Sequence, residues 1–216
     1  MTIQPDDDGL GSRSPHRPRA LARATIVTPG DWIELDLDPA TRHTSISRAV
    51  RQAVARSRDL APDAVRLIGL LDRTSRRAVE AGAVYCASRV IEDVGRDVLL
   101  ATVLLQFGPS PEPTPPDKPS WIPSAAADER CASLAQVINN DRGWAGANVR
   151  VVPLSFIGPS VRLHIEDSGV IVQYLVPLVA ATADVVLTFS CPCPPYARLM
   201  TELFDVMAQS LVLHYD

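Results

Sequence analysis

Lysine is almost missing from this chain: Lys118 is the only one among 21 basic residues. The arginines are scattered through every segment, which reads as the codon bias of a GC-rich genome rather than as selection for phosphate or carboxylate forks. With 25 acidic residues the formal net charge is -4, so no basic field draws nucleic acid or anionic lipid. Aromatic residues are scarce at 5% and do not interleave with an arginine-rich face, which further disfavours nucleic acid. No apolar run approaches the roughly 20 residues of a membrane span; Gln106, Gln173 and Asp184 interrupt the longest ones. The first residues pass through Asp6, Asp7, Asp8, Arg13, Arg17 and Arg19 without an apolar stretch, so no signal peptide is read and the expected location is cytoplasmic.

The usual catalytic fingerprints are absent too. There is no phosphate loop, and the lone Gly-x-Gly at Gly9 and Gly11 lacks a preceding strand. Neither a Gly-x-Ser-x-Gly elbow nor a His-Glu-x-x-His pair occurs. Four histidines leave few candidates for a general base near neutral pH. No catalytic residue, cofactor site or metal site is therefore expected.

What remains is ordinary globular material, 46% hydrophobic and 21% charged over 216 residues, enough for one sizeable domain. Residues 1–30 lack periodicity and read as a disordered tail, and residues 31–216 read as one domain. Prolines at 109, 111, 113, 115, 116 and 119 break it with a surface insertion at 109–120. Pro113 and Pro116, at Pro-x-x-Pro spacing, and the neighbouring Trp121 are the candidate partner-binding residues.

Period changes along the chain predict its elements. Ile33, Leu35 and Leu37 alternate with acids in a strand over 32–37. Helical spacing follows over 44–58. A second helix starts at Pro62, with Val65, Ile68, Leu71, Ser75, Ala78 and Val79 as its buried stripe and Gly82 as its stop. Residues 83–91 and 97–107 flank a polar turn and predict an antiparallel hairpin. The second arm is apolar at both parities around Val103, which predicts helical cover on both sheet faces. A helix over 127–139 is expected to bury Leu134, Val137 and Ile138. Strands over 149–154, 161–166, 170–178 and 184–190 follow as a meander. A closing helix over 195–213 is expected to bury Leu199, Leu203, Val206, Met207 and Ser210, its stripe widened by Phe204 and Leu211. The fold class is α+β: a mainly antiparallel sheet of about six or seven strands flanked by helices on both faces.

Two polar groupings stand out. Cys191 and Cys193 sit two positions apart among prolines, but a zinc site wants four ligands, and Cys86 and Cys131 lie far off in sequence. All four cysteines are read as reduced, mostly buried thiols. Arg162, His164 and Glu166 share one parity of a strand, the arrangement of an acid–base pair and equally of a solvent-facing strand; they are weak polar-face candidates.

The opening Trp32-Ile33-Glu34-Leu35-Asp36-Leu37 strand, the turn Glu80-Ala81-Gly82-Ala83-Val84-Tyr85, the late Leu187-Thr188-Phe189-Ser190-Cys191-Pro192 and the helical Glu202-Leu203-Phe204-Asp205-Val206-Met207 carry a resemblance. Over residues 32–213 they resemble a family of uncharacterised proteins from high-GC actinobacteria, with a Mog1/PsbP-like sandwich fold. Cys191 replaces the threonine usual in that family's turn. The resemblance implies a non-enzymatic module that binds a partner protein and transfers no catalytic residue. The leading expectation is thus a non-catalytic accessory or protein-interaction domain. The alternative is a small-molecule-binding protein or enzyme with its pocket between the sheet and the C-terminal helix.

Overall fold

The structure, a computed structural model, describes residues 21–92, 98–109, 124–178 and 183–215. The insertion residues Pro113 and Pro116, together with Trp121, lie outside the described residues. The architecture is α+β. Strands β2 (Ile33–Glu34), β3 (Ala83–Glu92), β4 (Val98–Pro109), β5 (Asn148–Leu154), β6 (Gly158–Glu166), β7 (Val170–Val176) and β8 (Ala183–Cys191) form one antiparallel sheet in the order β2-β3-β4-β8-β7-β6-β5. Helices α1 (Arg42–Arg56), α2 (Ala64–Glu80) and α3 (Ser124–Asn140) pack on one face, and α4 (Ala197–Gln209) packs on the other.

The predicted hairpin is β3 and β4, whose register runs from Glu92 opposite Val98 to Ala83 opposite Gln106. It follows directly from α2. Gly82 has φ +75°, a left-handed conformation that a side chain disfavours, and its N–H bonds the carbonyl of Val79 to end the helix. The meander is β5 to β8; β5, β6 and β8 run a little longer than periodicity indicates, and β7 ends two residues sooner, at Val176.

Several boundaries and stripes differ. Residues 21–25, inside the stretch read as tail, form β1 (Leu21–Thr25), which pairs with β9 (Val212–Tyr215) in a separate two-stranded ribbon. Their partners lie about 190 positions away, so no local pattern announces them. The strand expected over 32–37 pairs only at Ile33–Glu34, continued by one bond from Leu35 N–H to the carbonyl of Cys86. Pro62 lies in a 3-10 turn (Arg58–Asp63) before α2 rather than in its first turn.

On α2 the buried residues are Leu67, Leu71, Ser75 and Ala78, while Val65 and Val79 are exposed. On α3 Cys131 and Ile138 are buried and Val137 is exposed. On α4 the inward stripe is Ala197, Met200, Phe204, Met207 and Ala208, whereas Leu199 and Val206 are 60% and 68% exposed. The helix ends at Gln209, so Leu211 is buried beyond it. In each helix apolar residues occupy more than one face, and spacing alone does not choose among them.

Strand parity sorts the core into two layers. Odd residues of β4 and β8 (Ala101, Val103, Leu105, Val185, Leu187, Phe189) and even residues of β7 (Val170, Val172, Tyr174) share the core on the α4 side. Phe189 stacks on Phe204 with centroids 4.9 Å apart, and Trp32 meets Phe204 edge-on. On the opposite face, α1 and α2 cover Cys86 and Val98 through Ile46, Val50, Leu67 and Leu71. There α3 covers Val161 and Leu163 through Cys131 and Ile138.

Candidate functional site

Two helical blocks on one sheet face leave a gap. Even residues of β4 point into it, and Leu100, Thr102 and Leu104 are only half-buried there. The two-sided burial expected around Val103 is therefore complete on the α4 face and partial on the other, where Val98 is buried and Leu100 and Leu104 are partly covered. The reason is tertiary: α2 sits over β3, α3 sits over β5 and β6, and the central strands lie between.

The gap is an open groove of about 710 Å³. One wall is α2, through Leu70, Thr74 and Arg77, a stripe at helical spacing. The other is the β6–β7 turn, Asp167, Ser168 and Gly169. The floor is apolar at Leu100, Leu104 and Ile171, with a hydroxyl pair at its centre. Thr102 Oγ1 and Ser190 Oγ lie 2.6 Å apart on paired residues of β4 and β8. One rung along, Gln173 Nε2 donates to Thr188 Oγ1 at 2.9 Å. Ser88, opposite Thr102 on β3, extends the hydroxyl row, and its Oγ is buried without a hydrogen-bond partner.

Gly169 holds the turn wall in place. A methyl group built there would overlap the carbonyl oxygen of Cys191 and Cα of Pro192. Glycine thus lets the turn lie directly on the chain between β8 and α4. The groove combines apolar surface with a few convergent polar groups, the make-up of a binding site. No motif marks it in the sequence. Thr102 and Ser190 are 88 positions apart, and their meeting depends on the β4–β8 register.

The predicted polar trio lies elsewhere. Arg162, His164 and Glu166 share the α4 face of β6, as parity requires. Arg162 is clamped by Asp205 of α4, with Nε to Oδ1 at 2.9 Å and Nη2 to Oδ2 at 3.1 Å. Tyr174 O–H donates to the same carboxylate at 2.5 Å. Burial, with Asp205 alongside, pushes the Tyr174 phenol well above its ordinary range. Thr201 O–H is committed to the carbonyl of Ala197, so His164 Nε2, 3.4 Å away, is the donor in their contact. Burial and the Arg162 charge hold the His164 pKa below 6.5 against the opposing pull of Glu166 and Asp205. Glu166 is exposed, 4.0 Å from His164.

These bonds belong to a stripe. Thr201, Asp205 and Gln209 recur every four residues on α4, and Gln209 bonds Ser155 and the carbonyl of Pro153. The stripe fastens the helix to the β5–β6 side of the sheet. That spacing was the available signal for Asp205, which residue-by-residue reading passes over.

The four thiols are dispersed. Cys191 and Cys193 lie in the α4 core, Cys86 under α2, and Cys131 under α3. All four are buried and unbridged. Burial pushes Cys86 up to about 12 and, with Asp128 nearby, Cys131 up to about 11, far from the range of a reactive thiolate. Among the described residues no group of three or more His, Cys, Asp or Glu is placed to hold a metal ion, and no helix is long and apolar enough to cross a membrane. Trp32 is buried, while Trp144 is exposed in the turn before β5.

The space between the sheet and α4, where the alternative reading puts a pocket, is occupied by Phe189, Phe204, Met200 and Met207. Compared with known proteins, the chain matches no family model, no curated protein and no solved structure.

Proposed function

We propose that this chain is a non-catalytic accessory domain that binds a partner polypeptide through the groove between α2 and the β6–β7 turn. The Mog1/PsbP-like kinship is part of the same proposal. The observation that carries it is the half-buried centre of the sheet, where Leu100, Leu104 and Ile171 flank the Thr102–Ser190 hydroxyl pair. Apolar side chains left open to water beside unsaturated hydroxyls are the surface a partner covers favourably. The acid–base candidates support the reading from the other side. Arg162 and His164 are engaged in holding α4 rather than facing the groove.

The groove volume also falls within the roughly 300–1,000 Å³ of small-molecule sites, so a small ligand in this same groove is the second reading.

Affinity capture from native lysate tests the proposal with three proteins: the wild type, Ser190→Trp on the floor and Thr74→Trp on the α2 wall. Thermal unfolding and circular dichroism establish that each variant folds. A specific polypeptide recovered by the wild type and lost by both folded variants is the expected result. Recovery that both variants retain places the partner elsewhere and overturns the proposal.

A further inference from the structure

We infer that the groove accepts an extended polypeptide segment in which an apolar residue is flanked by an acidic residue on the α2 side and a basic residue on the turn side. This rests on the reading of the groove as a partner site. The two walls carry opposite charge: Arg77 on α2 and Asp167 in the β6–β7 turn, both exposed and neither ion-paired among the described residues. Of the neighbouring charges on α2, Arg76 is engaged by Asp72 at 2.7 Å. A segment crossing from one wall to the other meets a cation first and a carboxylate last.

The floor suits main chain. Within the Thr102–Ser190 pair one hydroxyl donates to the other, which leaves one O–H to donate outward and lone pairs to accept. A peptide unit offers both complements, a carbonyl and an N–H. Leu100, Leu104 and Ile171 receive the apolar side chain between the charges. Because Gly169 seats the turn on the Cys191–Pro192 backbone, the backbone that carries Asp167 is held at a set position relative to that floor.

The probe is a displayed library of random linear heptapeptides, selected on the full chain and counter-selected on Ser190→Trp. Enriched peptides are expected to carry Asp or Glu on one side of an apolar residue and Lys or Arg on the other. Arg77→Gln and Asp167→Asn, both surface changes whose unfolding is checked against wild type, should each weaken the selected peptides about two- to fivefold in Kd. The loss should shrink at high salt. The exchange Arg77→Glu with Asp167→Lys should reverse the preference toward peptides with the two charges swapped. Peptides that depend on the open groove yet bind both neutral variants unchanged overturn the charge assignment and leave the groove reading standing. No enrichment over Ser190→Trp overturns both.

Discussion

The two faces of the central sheet solve the same burial problem differently. On the α4 face the covering is complete: Val103, Leu187, Phe189 and Phe204 are almost fully withdrawn from water, and the rings interlock. On the opposite face, cover is split between α2 and α3, and the residues alternating with Val103 and Phe189 stay half-exposed. One strand, β4, therefore serves as core on one side and as groove floor on the other. The lesson is that stability and recognition are carried by alternate residues of the same strand, so substitutions one position apart should separate them.

The largest test of that separation is Phe204→Ala, which removes the ring stacked on Phe189 and should cost about 3–5 kcal/mol in denaturant unfolding. Leu104→Ala on the groove floor should cost less, about 2 kcal/mol, because that side chain is only partly buried. Equal losses would show the two faces to be equally buried.

Next in size is Asp205→Ala, expected to cost about 2–3 kcal/mol by leaving the largely buried Arg162 guanidinium and the Tyr174 hydroxyl without their acceptor. Tyr174→Phe, which removes the hydroxyl's bonds with Asp205 and Arg162 but leaves the ion pair, should cost about 1 kcal/mol. If Asp205→Ala unfolds like the wild type, the polar stripe does not fasten α4.

Gly169→Ala should cost about 1–2 kcal/mol, since the added methyl pushes the β6–β7 turn off Cys191 and Pro192. It should also weaken groove binding while Phe204→Leu, on the other face, leaves binding unchanged. Urea unfolding and titration with a groove-selected peptide read the two effects separately.

The smallest effect is one of pH. The His164 pKa is lowered in the folded state, so the unfolded chain binds the extra proton first. Its contribution to stability is present above about 6.5 and is lost as pH falls through the folded value. His164→Gln should flatten the fall in stability below pH 6.5 relative to the wild type, seen as a smaller shift in unfolding midpoint between pH 7 and pH 5. An identical pH dependence would mean that His164 does not titrate differently on folding.

Much of the fold is legible where a pattern is local. Gly82 and the flanking periods mark the step from α2 to the β3–β4 hairpin, and alternation marks β5 to β8. The buried side of a helix is harder. Leu199 and Val206 were as eligible as Met200 and Phe204 for the inner stripe of α4, and the choice came from the rotation that lets Phe204 meet Phe189. For the groove almost nothing was readable. The cover predicted over β4 assumed helices wherever a strand is apolar at both parities, yet Leu100 and Leu104 face a gap. The Arg162 parity was correct, but its partner Asp205 is 43 positions away.

The order of residues along the chain determined what is periodic and what is interrupted: where helices and strands form, where glycine and proline end them, and which side chains share a strand face. These are properties of neighbours within a few residues, set by backbone sterics and side-chain spacing. Which face is covered, which hydroxyls meet across β4 and β8, and that Arg77 and Asp167 stand on opposite walls were decided only in three dimensions. Such contacts join segments tens of residues apart, and they arise from how helices of fixed width pack on a sheet wider than they can cover.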